Sequence, residues 1–359
     1  MRYIRSIMGA AALALSIYIF SSSPLYELLA RLGEERLEQG RMKNVSVEET
    51  TGPFHEVCGQ AVVSTPLSIT VNPSPSPTAS PPASPEIPAP SVTAEGELIL
   101  ETTIEGALSI KNLTGYQVDM GKILLQGPQI HLSAAQPQIL IIHTHASEAY
   151  TPAGLDLYEP SDDSRTEDTK YNIVRVGDEL ASIFEQAGLS VIHDREIYDY
   201  PSYTGSYNRS GQAVERWLTE YPGIGLVLDV HRDALGSNGI IYKTMAEEEG
   251  VCASQIMLLV GSDESGLEHP LWQQNLSLAV YLQRAVSSRH PSLMRPIELV
   301  TQRYNQHLSP GALIVEVGSS GNTLQEALAA ARLFASAAAP AIISLIENPE
   351  QEQLGLFIQ

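Results

Sequence analysis

The chain has 359 residues, 23 prolines and a formal net charge of −21. This negative charge argues against nucleic acid as a partner, because nucleic-acid binding depends on Lys and Arg contacts to phosphate. The length exceeds that of one average domain, but the prolines keep part of the chain out of any core, so we expect one sizeable domain with appendages. The two cysteines, Cys58 and Cys252, are far apart and predict no disulfide framework.

Residues 1–23 have the pattern of a membrane anchor or a signal sequence. Arg2 and Arg5 precede an uncharged apolar run from Ile7 to Phe20. No Ala-x-Ala site closes this run, which favours an uncleaved anchor. The two arginines then place the N-terminus in the cytoplasm and everything after the anchor across the membrane.

Residues 24–95 are predicted to form a stalk and a linker. The segment 26–42 has the apolar spacing of a short amphipathic helix. Residues 72–90 are almost entirely Pro, Ser, Ala and Thr, a composition that favours extended conformations and cannot bury apolar surface. We therefore expect a spacer between the anchor and the folded domain.

The folded domain is predicted to span residues 96–350, followed by a tail at 351–359. Its first part, 96–132, contains two short strand patterns, which we expect to form a hairpin. Strands and helices then alternate, which predicts an α/β fold with a mostly parallel, twisted sheet flanked by helices. The predicted strands are 139–142, 189–192, 225–230, 240–244, 255–260 and 312–317, and the predicted helices are 171–187, 208–220, 271–289 and 323–346.

Three of these strands each end in, or carry, ionisable side chains. His145 and Glu148 follow the first strand, His231 follows the strand at 225–230, and Glu316 lies in the last strand. Open α/β sheets bind their ligands at the carboxyl edge, so we expect these side chains to meet there. The spacing His145-x-x-Glu148 suits a zinc ion, which takes imidazole nitrogen and carboxylate oxygen together.

The pattern predicts a hydrolytic zinc site in which His145, Glu148 and His231 bind the metal and Glu316 acts as the general base. A serine hydrolase is disfavoured, because Ser147 lies in no Gly-x-Ser-x-Gly elbow. A zinc carboxypeptidase-like enzyme would show the same order of ligands. A non-catalytic wall-binding scaffold is the alternative from another class.

Four segments in this order behind an anchor and stalk resemble the stage II sporulation protein P family. They are His143-Thr-His-Ala-Ser-Glu-Ala-Tyr150, Tyr171-Asn-Ile-Val-Arg-Val-Gly-Asp178, Leu228-Asp-Val-His-Arg-Asp233 and Ile314-Val-Glu-Val-Gly318. The resemblance covers roughly residues 110 to 350. It implies a fold like that of zinc-dependent N-acetylmuramoyl-L-alanine amidases, and removal of stem peptides from peptidoglycan, with an added endopeptidase activity, during engulfment of the forespore.

The resemblance also implies roles for individual residues. The first metal histidine falls within His143-Thr-His145, the second is His231, and the catalytic acid is Glu316. The spacing assigns the carboxylate ligand to Glu148, but the resemblance offers Glu167 or Asp168 instead, since in the wider amidase family a ligand Glu comes just before the first helix.

Further roles remain for the neighbours of the expected ligands. The spacing to Glu148 favours His145 over His143, which is left to orient a ligand or to face the substrate. Arg232 and Asp233 are expected to orient the imidazole of His231 or to hold a substrate carboxylate.

Family membership further implies a location and partners. We expect a membrane-anchored protein whose catalytic domain lies outside the cytoplasm, at the mother-cell membrane facing the forespore septum. The expected partners are peptidoglycan, the membrane, and stage II sporulation proteins D and M.

Overall fold

The computed structural model describes residues 91–92, 98–104, 106, 108–130, 132–135, 137–248 and 250–347. The predicted anchor, the predicted amphipathic helix, the Pro/Ser-rich spacer and the tail at 351–359 lie outside the described residues. The domain boundaries at 23, 95 and 350 therefore stay predictions.

The described residues form twelve strands, five α-helices and a short 3-10 helix. The strands are β1 (Ser91–Val92), β2 (Leu98–Thr102), β3 (Ile110–Asn112), β4 (Ile139–Ile142), β5 (Val191–His193), β6 (Leu226–Asp233), β7 (Gly236–Ser237), β8 (Ile240–Glu248), β9 (Val251–Ser254), β10 (Ile256–Val260), β11 (Ile297–Leu299) and β12 (Ala312–Ser319). The helices are α1 (Met120–Gln126), α2 (Ile173–Gln186), α3 (Ser206–Glu220), α4 (Trp272–Arg289) and α5 (Leu324–Glu347), and the 3-10 helix is Gln306–Leu308.

Seven strands form the main sheet in the order β3-β11-β10-β12-β6-β4-β5. All neighbouring pairs are parallel except β10 and β12, which are antiparallel. The mixed α/β architecture with a mostly parallel sheet is therefore confirmed. Since β4, β6 and β12 run in the same direction, their carboxyl ends lie at one edge of the sheet.

Helices cover both faces of the main sheet. On one face, α2, α4 and α5 pack against side chains such as Ile141 and Val230 in the large core cluster. On the other face, Ala213 and Val214 of α3 pack against Leu140 and Val227. Asp229 and His231 alternate with Leu228 and Val230 along β6, so they lie on the face that α3 covers.

Local signals explain where two of the helices begin. At α2, the side chain of Asn172 accepts a hydrogen bond of 3.0 Å from the Val174 amide. At α5, Thr323 and Glu326 form a capping box: Glu326 Oε2 accepts from the Thr323 amide at 3.0 Å, and Thr323 Oγ1 accepts from the Glu326 amide at 3.3 Å. These caps fix the ends of two helices that pack on the same face.

A second, five-stranded sheet has the order β1-β2-β8-β7, with β9 paired to β8. The sequence did not predict this sheet. The expected hairpin within 96–132 is wrong: β2 pairs with β8 in the second sheet, and β3 pairs with β11 in the main sheet. Strand β3 forms an edge of the main sheet, whereas β2 lies between β1 and β8 in the second sheet.

Helix α5 is the one described helix long and apolar enough to cross a membrane, with a mean hydropathy of 1.7. Its buried residues, including Ala331, Phe334 and Ala338, belong to the large core cluster. At the surface, Arg332 forms an ion pair of 3.0 Å with Glu179 of α2. The helix thus packs as a core helix against α2.

Candidate functional site

The structure brings together His145, Glu148, His231 and Glu316 at the carboxyl ends of β4, β6 and β12. The ring centroids of His145 and His231 are 5.3 Å apart, and the rings are nearly perpendicular. Glu316 stands directly opposite His231 on the neighbouring parallel strand. Because β4 ends at Ile142 and a turn follows, His145 and Glu148 fold back over the end of β6.

His231 lies between two carboxylates. Its Nδ1 is 3.4 Å from Oε2 of Glu148, and its Nε2 is 2.9 Å from Oδ1 of Asp229, although the angle is not that of a hydrogen bond. Burial disfavours the charged imidazole, but Asp229 and Glu148 outweigh burial and raise the pKa of His231 well above its usual value. Without a metal, the imidazole is therefore a cation that neutralises its two neighbours.

Glu148 is buried and held from several directions. Its Oε2 accepts a hydrogen bond of 3.2 Å from the Arg232 amide, and its Oε1 lies 3.4 Å from Nη2 of Arg165. Burial by itself raises the pKa of Glu148, but His231 and Arg232 reverse this effect and lower the pKa to about 2. Glu148 is consequently ionised at neutral pH, as a carboxylate ligand must be.

His145 lies in an aromatic environment. Its ring stacks on Tyr203 with centroids 4.5 Å apart and meets the ring of Tyr207 edge-on at 5.4 Å. Nδ1 of His145 is buried and has no hydrogen-bond partner. Burial, assisted by the nearby His231, lowers the pKa of His145 to about 4, so the imidazole is neutral at pH 7.

Glu316 has one buried carboxylate oxygen, Oε2, without a hydrogen-bond partner. Burial raises the pKa of Glu316 to about 8; His231 opposes this rise and Asp233 adds to it. Asp233 in turn forms an ion pair of 2.8 Å with the buried guanidinium of Arg295. Glu316 is thus a carboxyl group able to hold and release a proton near neutral pH.

His143 points away from this cluster. Its Nδ1 lies 2.9 Å from the backbone oxygen of Val230, and its Nε2 lies 2.8 Å from Nε2 of His193. Burial and the neighbouring His193 lower the pKa of His143 to about 3. His143 and His145 therefore occupy opposite sides of the turn after β4.

The remaining predicted residues lie at the margin of the cluster. Asp168 and Glu167 are exposed, and Oδ1 of Asp168 accepts a hydrogen bond of 3.1 Å from the Lys170 amide. The guanidinium of Arg232 donates to the backbone oxygens of Ala149 and Ser164, both at 3.0 Å. Arg232 consequently braces the turn that carries Glu148.

Sequence patterns did not identify several residues that shape the site. Asp229 lies two residues before His231 on the same strand face, and this period of two was the available signal. Tyr203 lies in a loop with no motif. Asp199 from the same loop accepts hydrogen bonds from Ser147 Oγ at 2.6 Å and Arg165 Nη1 at 2.8 Å, a contact that only the tertiary structure creates.

Other histidines lie elsewhere in the fold. His269 and His290 are buried in loop segments, and His193 ends β5, where it contacts His143.

Within the described residues, no three His, Cys, Asp or Glu side chains are arranged closely enough to form a metal site. The donor set nevertheless fits zinc in type and in one distance. Two ligand atoms on a tetrahedral zinc ion are roughly 3.3 Å apart, and His231 Nδ1 and Glu148 Oε2 are separated by 3.4 Å. The unpartnered Nδ1 of His145 supplies a third donor of the right kind.

These observations define a class of protein: mixed α/β proteins that carry two histidines and two carboxylates at the carboxyl edge of the sheet. The family model of stage II sporulation protein P matches residues 88–339. The chain therefore belongs to the stage II sporulation protein P family.

Individual relatives and solved structures are also similar to this chain. Stage II sporulation protein P of Bacillus subtilis (strain 168) is 25% identical over 208 residues, which are 55% of this chain and 49% of that protein. The chain thus spans about half the length of this relative.

Two of the similar solved structures are amidases. The N-acetylmuramoyl-L-alanine amidase AmiC2 of Nostoc punctiforme has a TM-score of 0.35 at 12% identity, covering 60% of this chain and 100% of that one. The amidase of Clostridium difficile 630 has a TM-score of 0.34 at 12% identity, covering 60% and 99%.

Proposed function

We propose that this protein is a zinc-dependent peptidoglycan hydrolase that cleaves the amide bond between N-acetylmuramic acid and L-alanine. The observation that carries the proposal is the cluster of His145, Glu148 and His231 with Glu316 directly across from His231. These are the groups that a metal-assisted amide hydrolysis needs: three ligands and one acid–base group. Membership of the sporulation family supports peptidoglycan as the substrate.

His145 and His231 with Glu148 would hold the metal. When bound, zinc supplies a Lewis acid that polarises the scissile carbonyl and activates water. His145 is ready for this role because its imidazole is neutral. His231 must lose the proton on Nδ1 that faces Glu148, so metal binding competes with a proton.

Glu316 would take a proton from the attacking water and return it to the leaving amine of L-alanine. The bond between the carbonyl carbon and the amide nitrogen breaks, which leaves a carboxylate on the lactyl group and a free amino terminus on the peptide. The pKa of about 8 describes Glu316 without a metal. A cation held by His145, Glu148 and His231 would favour the ionised carboxylate of Glu316, which is the form that can accept a proton.

The location and partners belong to the same proposal. We infer that an N-terminal anchor holds the domain outside the cytoplasm, at the mother-cell membrane facing the forespore septum. Stage II sporulation proteins D and M are the proposed protein partners, and a stem-peptide endopeptidase activity is a proposed second activity.

The decisive experiment is mass spectrometry of the soluble products from purified sacculi. We expect the wild-type protein with zinc to release stem peptides that carry no sugar and to leave glycan strands without peptide. The Glu316→Gln variant should release neither. Sugar-linked peptides shortened at their carboxyl ends would contradict the amidase assignment and favour a carboxypeptidase. No release with zinc and both partner proteins present would favour a non-catalytic scaffold.

A further inference from the structure

A second pair of histidines lies on the opposite side of the turn from the proposed metal site. His143 Nε2 and His193 Nε2 are 2.8 Å apart, and the ring centroids are 5.1 Å apart. At this centroid separation the two nitrogens point straight at each other, which is the direction a strong hydrogen bond between imidazoles requires. The contact joins the end of β5 to the turn after β4.

The hydrogen bonds fix which nitrogen carries each proton. The backbone oxygen of Val230 only accepts, so Nδ1 of His143 must be the protonated nitrogen that donates to it at 2.9 Å. Nε2 of His143 is then an acceptor, and His193 donates its Nε2 proton. His143 has no free lone pair left for a metal, since Nδ1 is protonated and Nε2 is occupied by His193.

The backbone of α2 at Gly177 leaves room for the contact between the two imidazoles but not for a side chain at position 177. A Cβ atom at Gly177 of α2 would lie 2.5 Å from Nε2 of His143 and 2.5 Å from Nε2 of His193. Both distances are far below van der Waals contact. Glycine at this helical position costs helix stability relative to alanine, and the close approach of the two imidazoles accounts for it.

The pair is linked to the proposed metal ligands on both sides. His143 stands two residues before His145, and Val230 stands immediately before His231. The ring of His143 therefore connects the turn that carries one ligand to the strand that carries the other, and His193 contacts that ring. On its outer side, Nδ1 of His193 lies 3.1 Å from Oδ1 of Asp178, whose charge is paired with Arg195.

We propose that His193 is a positioning residue for the metal site: by holding His143 in one tautomer and orientation, it fixes His145 relative to His231. This inference rests on the proposed metal site. It also assigns His143 a role in positioning the ligands, in place of ligation. Partners that orient metal ligands typically change metal affinity about ten- to a hundredfold when removed.

The test measures zinc affinity of the full chain by competition with a chromophoric chelator, at a temperature where all variants are folded. His193→Leu removes the donor and should weaken zinc binding about tenfold or more. His193→Gln can donate from its amide and should recover most of the affinity. His307→Leu, in the 3-10 helix, is the matched control and should bind as the wild type does.

A nitrogen-15 NMR spectrum of the histidine side chains gives a second readout. Zinc should shift the ring nitrogens of His145 and His231, while His143 keeps a protonated Nδ1 with and without zinc. Unchanged affinity in His193→Leu, or a zinc-induced shift of His143 Nε2, would overturn the inference and leave the proposed function standing. A wild-type chain that binds no zinc would overturn both.

Discussion

Gly177→Ala tests the close packing behind the metal site. The added methyl group would lie 2.5 Å from each of the two imidazole nitrogens, so His143 and His193 must separate or α2 must shift. Overpacking of this kind costs about 1–3 kcal/mol, and loss of a buried hydrogen bond costs about 1–3 kcal/mol more. The higher helix propensity of alanine stabilises α2 by about 1 kcal/mol and offsets part of this loss. We therefore expect a net loss of about 1–5 kcal/mol in the free energy of unfolding.

Urea denaturation of the zinc-free protein, followed by circular dichroism, measures this loss. Gly121→Ala in the exposed helix α1 is the matched control and should change stability by no more than the propensity term of about 1 kcal/mol. In a His193→Ser background the methyl group clashes with one imidazole only, so Gly177→Ala should cost less there. Equal costs in both backgrounds, or a Gly177→Ala variant more stable than the wild type, would refute the packing argument.

Three further predictions concern the site and the domain. His231→Ala should lose zinc and activity together, whereas Glu316→Gln should keep zinc and lose activity about a hundred- to ten-thousandfold; loss of zinc in Glu316→Gln would make Glu316 a ligand. In zinc-free protein, the raised pKa of Glu316 contributes stability that is fully present below about pH 4.5 and is lost as the pH rises through about 8. The free energy of unfolding of Glu316→Gln, measured by denaturation, should therefore rise relative to that of the wild type from acid to alkaline pH. A change in the opposite direction would show that the carboxyl group is not buried as described. A chain that begins at residue 96 should remain soluble without detergent and bind about one zinc ion by metal analysis, because all proposed ligands lie beyond residue 142; a requirement for detergent would contradict the boundary.

The long elements were predictable because their apolar patterns are strong. Strand β4 was predicted with its exact bounds, and α2 was predicted at 171–187 against Ile173–Gln186 in the structure. Strand β11 has only three residues and α1 only seven, so neither contains enough of a period to be recognised. The pairing of β2 with β8 spans more than a hundred residues of sequence, and a local pattern carries no information about such a partner.

For the candidate site, sequence patterns identified the strand ends but not the directions of the side chains. The exact end of β4 and the turn after it decide that His143 and His145 point to opposite sides. Likewise, a hydrogen bond to Lys170 leaves Asp168 at the surface. The role of Asp199 arises from contacts across 34 and 52 residues. Such contacts depend on tertiary packing and leave no mark on the local sequence.

The reversed direction of β10 has a practical consequence for labelling the protein. Ile256, at the start of β10, lies opposite Val317, next to Glu316, so the segment after Val260 emerges at the other edge of the sheet. A five-residue strand separates the two edges by roughly 15 Å. Leu267 in that segment is 56% exposed, and a fluorophore attached through Leu267→Cys would sit away from the sheet edge that carries His145, His231 and Glu316. Such a reporter would allow binding of the protein to purified sacculi to be followed without a label beside the candidate site.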